Sequence, residues 1–173
     1  MDLLQVPQVI KVILDHAQEV EAHTVGFRRI LEINGRPDHA SRGNKSISYH
    51  EYIAECSEAV GAEIAVAQYL GMKNFIPTVN TFKTEADIGA RIEVKWTKYA
   101  DGHLVIRPTD RINDVAILVT GRGPVYCIAG WIPIVMAKKA KYHHASYYDH
   151  WVPQNNLFPI EDLRKSIYGP DSI

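Results

Sequence analysis

Two apolar runs limit what this chain can fold into. Asp114 to Thr120 (DVAILVT) and Val125 to Ile134 (VYCIAGWIPI) carry few polar side chains and flank Gly121-Arg122-Gly123-Pro124. Glycine and proline punctuate the chain there, and apolar runs of this length rich in β-branched residues read as buried strands about a turn. A third strand is written differently. In Ile92 to Thr97, Ile92, Val94 and Trp96 alternate strictly with Glu93, Lys95 and Thr97, the period-2 pattern of a strand with one buried face.

The helical signals lie upstream. Val6 to Leu14 reads as a strand, and from Glu19 to Ile33 the apolar spacing lengthens to that of a helix carrying Arg28 and Arg29, ended by Asn34-Gly35-Arg36-Pro37. Asp38 to Ser48, with Arg42 and Lys45, is predicted to be a mobile loop. Ser48 with Glu51 three residues on forms a capping box for a long helix that runs to about Leu70 and stops at Gly71. Phe75 to Phe82 is predicted to be extended, Gly102 to Arg107 to add a strand, and Glu161 to Tyr168 to form a short terminal helix. The expected fold class is α/β, a mixed central sheet flanked by helices. At 173 residues, with no repeat or linker, the chain reads as a single domain over residues 1–173.

Composition narrows the function classes. A formal charge of −1 means that any nucleic-acid contact comes from a local basic patch and not from a global field. Cys56 and Cys127 each sit in an apolar segment and suggest reduced, buried thiols, not a disulfide framework or a zinc site. No apolar run approaches membrane-spanning length and no leader pattern opens the chain, so the expectation is a soluble, cytoplasmic protein with no membrane partner.

Two places carry chemistry. On the long helix, Glu51, Glu55 and Glu58 fall on a polar side, whereas the helical neighbours of Glu63 are Ala59, Val60, Val66 and Ala67. A carboxylate on an apolar stripe is costly unless paired or metal-bound. Its bland explanations are a salt bridge to an arginine or a position at the stripe's edge. Further on, Asp87 lies a short Gly89-Ala90 turn before Glu93-Val94-Lys95. If Asp87 ends one strand and the Glu-x-Lys lies on the next, two carboxylates and an ammonium converge. The bland explanation is an exposed strand face whose charges pair across the sheet. Hard cations such as Mg2+ or Mn2+ prefer oxygen donors. Asp87, Glu93, the Val94 carbonyl and Glu63 would supply them, with Lys95 beside the ion to orient a water and offset phosphate charge.

Glu63 on a helix, then Asp87, then Glu93-Val94-Lys95, resembles the PD-(D/E)xK nuclease superfamily, the restriction-endonuclease-like fold. The resemblance covers Gly61 to Trp131, within a core of about 48–135, and GAEIAVAQYLG, DIGARIEVKW and VYCIAGWIP are similar to small phage-encoded members. Ala86 stands where the family has a proline, and residues 107–115 (RPTDRINDV) leave room for only a short turn where its core has a long helix. The resemblance implies a Mg2+- or Mn2+-dependent deoxyribonuclease, located in the host cytoplasm if phage-encoded and a possible homodimer. Asp87 and Glu93 would bind metal, Glu63 would complete the site and Lys95 would position the nucleophile. The alternatives are a non-cleaving nucleic-acid-binding or assembly module with the same fold, or an RNase using the same site.

Other features are less specific. Arg28, Arg29, Arg42 and Lys45 are candidate phosphate contacts. Asp110 and Asp114 read as turn and strand-start residues. His143, His144 and His150 with Tyr142, Tyr147 and Tyr148 read either as a polar, aromatic loop or as a surface that stacks bases, and Lys138, Lys139 and Lys141 add a basic run. No phosphate-binding glycine loop and no activated serine or cysteine nucleophile is present.

Overall fold

The computed structural model describes residues 9–34, 47–79, 85–145 and 147–169. In chain order the elements are β1 (Ile10–Ile13), α1 (His16–Asn34), α2 (Tyr49–Tyr69), β2 (Ile92–Thr97), β3 (Leu104–Ile106), β4 (Val115–Arg122), β5 (Val125–Pro133), α3 (Ile134–Ala137) and β6 (His150–Val152). The main sheet has the order β1-β5-β4-β2, with β2 parallel to β4 and the other pairs antiparallel. The fold is therefore mixed α/β around a mixed sheet.

The apolar runs behave as their composition requires. β4 is buried from Val115 to Thr120, on both faces. Val115, Ile117 and Val119 enter one core with α1 and α2, while Ala116 and Leu118 enter a second core on the opposite face. In β5 the register slips opposite Leu118/Val119, so that Ile128 joins the first core, Ala129 the second, and Trp131 the first again. A bulge keeps both faces supplied with apolar side chains through the slip.

The two long helices share one face of the sheet. Ser48 accepts from the Glu51 N–H while the Glu51 carboxylate accepts from the Ser48 N–H, so the capping box closes as its spacing predicts. At the far end Gly71 takes φ +77°, a conformation that stops the helix and that a side chain would strain. Between these ends every residue from Val60 to Ala67 is buried, because α2 lies between α1 and the sheet. The helices meet closely at Gly26, where an added Cβ would stand 2.7 Å from the Ser57 backbone.

The opposite face is covered differently from expectation. β3 does not join the main sheet but pairs with β6, forming a separate two-stranded sheet. Leu104, Ile106 and Val152 point inward from it and pack on Ala116, Leu118, Ile132, Ile134 and Leu157. The connection from β2 to β4 thus carries a three-residue strand and turns at Asp110 and Asp114, not a helix. Pro108 and the short, charged stretch around it explain this, since a parallel connection needs an apolar stripe to lay a helix on a sheet.

Other boundaries move as well. The first strand is resolved as Ile10–Ile13, with residues 1–8 outside the described residues. Residues 75–79 form no strand, and the rest of the Phe75 to Phe82 stretch lies outside the described residues. The expected terminal helix is a 3₁₀ helix, Ile160–Lys165. Glu58 is not a solvated helix carboxylate: it accepts from the Tyr126 hydroxyl at 2.7 Å and the Gly123 N–H at 2.9 Å, tying α2 to the β4–β5 turn. Burial of the ring, and then that hydrogen bond and the Glu58 charge, push the Tyr126 hydroxyl pKa up. Both cysteines are free thiols.

Candidate functional site at the free edge of β2

Among the described residues β2 is an edge strand of the main sheet, with no ladder to a further strand on one side of its backbone. Asp87 occupies that edge. Asp87 does not end a strand, as its spacing to Glu93 suggested; it precedes Ile88, which makes a single bridge to Ile92 across the Gly89-Ala90 turn. The turn folds the Asp87 carboxylate back along β2, where Oδ2 accepts from the Val94 N–H at 2.8 Å. In an extended strand the N–H and C=O of one residue project to the same side. The Val94 carbonyl therefore faces the edge that Asp87 occupies. Asp87 also lines a cleft of about 620 Å³ formed with Met72, Phe75, Thr78 and Glu85.

Glu93 and Lys95 flank Val94 and, by alternation, point to the face opposite Ile92 and Trp96. They stand in register with Ala116 and Leu118, on the side of the β3–β6 sheet. There Lys95 Nζ donates to Asp110 Oδ1 at 2.8 Å and lies 3.9 Å from Glu93 Oε2. Asp110 is a turn residue, as its sequence context suggests. Its second oxygen accepts from the Arg107 N–H at 2.8 Å, so the turn holds the carboxylate that holds Lys95. Lys138 donates to the Pro108 and Asp110 carbonyls and fixes the same turn. Asp114 has an ion pair of its own, with Arg111 at 2.6 Å.

Glu63 lies on the helix side of the sheet. It is buried and bound in a two-pronged ion pair by Arg29 of α1, Nη1 to Oε1 at 2.7 Å and Nη2 to Oε2 at 2.8 Å. Arg29 Nε donates to the Thr78 carbonyl at 2.8 Å. Burial works against the Arg29 charge, but the hydrogen bonds and charge of Glu63 more than offset it, with Asp87 adding to the field. The guanidinium pKa stands above its ordinary value. The salt bridge weighed from sequence as the bland explanation for Glu63 is thus present. It also removes Arg29 from the surface, where a phosphate contact would need it. Arg28 is exposed on the same helix, and Arg42 and Lys45 lie outside the described residues.

The structure therefore sets Asp87 against the Val94 N–H at the edge of β2, holds Lys95 with Asp110 beside Glu93 on the β3–β6 side, and pairs Glu63 with Arg29 on the helix side. Among the described residues no three His, Cys, Asp or Glu side chains are grouped closely enough to hold a metal ion by themselves. No helix among them is long and apolar enough to cross a membrane. Asp110 was missed as a site residue because it lies 15 residues beyond Lys95, across a strand and a turn. The signal available was a turn aspartate following the Glu-x-Lys strand. No protein-family model, curated protein or solved structure matches the chain.

Proposed function

We propose that the chain is a divalent-metal-dependent nuclease that hydrolyses DNA phosphodiester bonds at the free edge of β2, on a restriction-endonuclease-like fold. The observation that carries this is the Asp87 carboxylate held at 2.8 Å on the Val94 N–H, on the edge that the Val94 carbonyl faces, with Glu93 and Lys95 as the flanking residues. The donor set suits Mg2+ or Mn2+. Asp87, Glu93 and the Val94 carbonyl are all hard oxygen donors, two anionic and one neutral. Glu63 fits less directly, since both its oxygens are taken by Arg29, so its part is to fix the charge behind Asp87. Bound there, the cation would supply Lewis-acid activation of water and of the phosphate.

The side chains do the rest. Asp110 and Glu93 hold the Lys95 ammonium close to the scissile position, where it orients the attacking water and offsets charge on the phosphoryl oxygens. Arg28, exposed on α1, is proposed as a backbone-phosphate contact, as are Arg42 and Lys45. A homodimer would give a duplex one site for each strand.

One observation favours a second reading. Lys95 and Glu63 are each satisfied by an ion pair, as in a non-cleaving nucleic-acid-binding or assembly module. Cleavage separates the two. Linear duplex, circular duplex and single-stranded DNA, with an RNA control, are incubated with Mg2+, Mn2+ or EDTA, using wild type and Lys95→Ala. The nuclease reading expects metal-dependent cutting that Lys95→Ala loses. DNA binding without cutting establishes the module, and cutting unchanged in Lys95→Ala removes Lys95 from the mechanism.

A further inference from the structure

We infer that the outer face of the small β3–β6 sheet is a base-stacking platform for single-stranded DNA. The inference rests on the nucleic-acid reading above and specifies which strand form the protein holds. Leu104, Ile106 and Val152 are spent on the core, so alternation turns Val105 and Trp151, which are paired directly across the strands, outward. Rings gather on Trp151. His144 lies 4.3 Å from it, Tyr147 is stacked with it at 6.2 Å and an interplanar angle of 11°, and His103 stands 6.0 Å away.

This is not a packed core. Tyr147 is 56% exposed and the adjacent Tyr148 is 87% exposed. Trp151 itself is half-buried, and its indole nitrogen is buried without a hydrogen-bond partner among the described residues. Contiguous exposed aromatic surface of this kind is suited to docking a partner.

Charge selects the occupant. Arg107 at the end of β3 and Lys139 and Lys141 on the turn before β6 are exposed, and His143 bridges to His150 beside them. Flat rings on a small sheet with exposed basic residues at the end of β3 and before β6 suit stacked bases with a phosphate backbone alongside. A duplex buries its base faces and cannot use such a platform. The platform also leads to the candidate site, because β3 runs into the turn where Arg107 and Lys95 share the two oxygens of Asp110. A strand stacked on Trp151 is thereby directed along β3 toward Lys95.

The test measures binding in EDTA, so that it does not depend on cleavage. A fluorescein-labelled oligothymidylate of about 20 nucleotides and a duplex of equal length are titrated with wild type, Tyr147→Ala and Trp151→Ala. Tyr147→Ala removes an exposed ring and keeps the test valid if Trp151→Ala fails to fold. The inference expects weaker single-strand binding by about tenfold for each ring removed, with duplex binding unchanged and tryptophan emission quenched by the oligothymidylate in wild type. Single-strand binding equal in wild type and Tyr147→Ala overturns the platform while leaving the nuclease reading intact. So does duplex cutting by a wild type that does not bind the single strand. A concentration-dependent dimer lost in Tyr147→Ala, without single-strand binding, assigns the face to a second copy of the chain and also overturns the inference.

Discussion

Replacing Glu63 with methionine removes one half of a buried ion pair and leaves the other. The Glu63 side chain is 5% exposed and that of Arg29 11%, so water cannot solvate the guanidinium fork once the carboxylate is gone. Two charge-assisted hydrogen bonds of 2.7 and 2.8 Å are lost, and among the described residues Arg29 keeps only the Thr78 carbonyl. Breaking a buried pair in this way costs about 3–5 kcal/mol. Replacing both partners is a different perturbation. In Arg29→Met/Glu63→Met neither charge is buried, and the methionines fill similar volume in a well-packed helix interface, so stability returns to within about 1 kcal/mol of wild type. Urea unfolding of wild type, both single variants and the double variant gives the four values, read from midpoints at constant slope. A loss below about 1 kcal/mol in Glu63→Met, or a double variant as unstable as the two singles summed, would refute the pairing. The double variant also isolates function. If Glu63 fixes the charge behind Asp87, the stable double variant cuts DNA more slowly than wild type.

Three further outcomes follow from the packing and the charges. Tyr126→Phe deletes the hydroxyl that donates to Glu58 at 2.7 Å and lowers unfolding stability by about 1.5–3 kcal/mol, measured by urea titration; an unchanged midpoint would dissociate Glu58 from the β4–β5 turn. Gly26→Ala places a Cβ 2.7 Å from the Ser57 backbone, and overpacking of up to about 3 kcal/mol outweighs the roughly 1 kcal/mol of helix propensity regained, so thermal midpoint falls. Burial, with His143 and Lys138, holds the His150 pKa below its ordinary 6.5 against the opposing pull of Asp149. The unfolded chain then binds that proton more readily, so His150 stabilises the fold above the ordinary histidine range and this contribution is lost as pH falls below it. Thermal midpoints from about pH 7 to about pH 5 drop more steeply for wild type than for His150→Gln, and equal slopes would contradict the assignment.

Features written in local chemistry were legible in the sequence. Ser48 and Glu51 satisfy each other within one helical turn, Gly71 ends the same helix, and the runs around Gly121-Arg122-Gly123-Pro124 are apolar enough to be buried on both faces. β2 was legible because its alternation matches a strand with one apolar face. The rest depended on partners distant in sequence. Glu63 was visibly misplaced on its helix, yet its partner Arg29 lies 34 residues away and only packing of α1 on α2 brings them together. Glu58 looked solvated because Tyr126 lies 68 residues further on. β3 was legible as a strand within Gly102 to Arg107, but β6 is three residues long, too short for periodicity to assign, and the pairing of the two is fixed by the second core. Asp87 was marked by its spacing to Glu93, but the turn that lays it on the Val94 N–H shows only in three dimensions.

The central proposal is that Asp87, Glu93 and the Val94 carbonyl bind a hard cation. Diffraction from crystals soaked in Mn2+, collected at an energy where manganese scatters anomalously, tests it most directly. The account predicts an anomalous peak bonded to Asp87, Glu93 and the Val94 carbonyl oxygen, at about 2.0–2.3 Å, that vanishes in Asp87→Asn. Full Mn2+ occupancy elsewhere with none at this edge, Glu93 remaining beside Lys95, would contradict it.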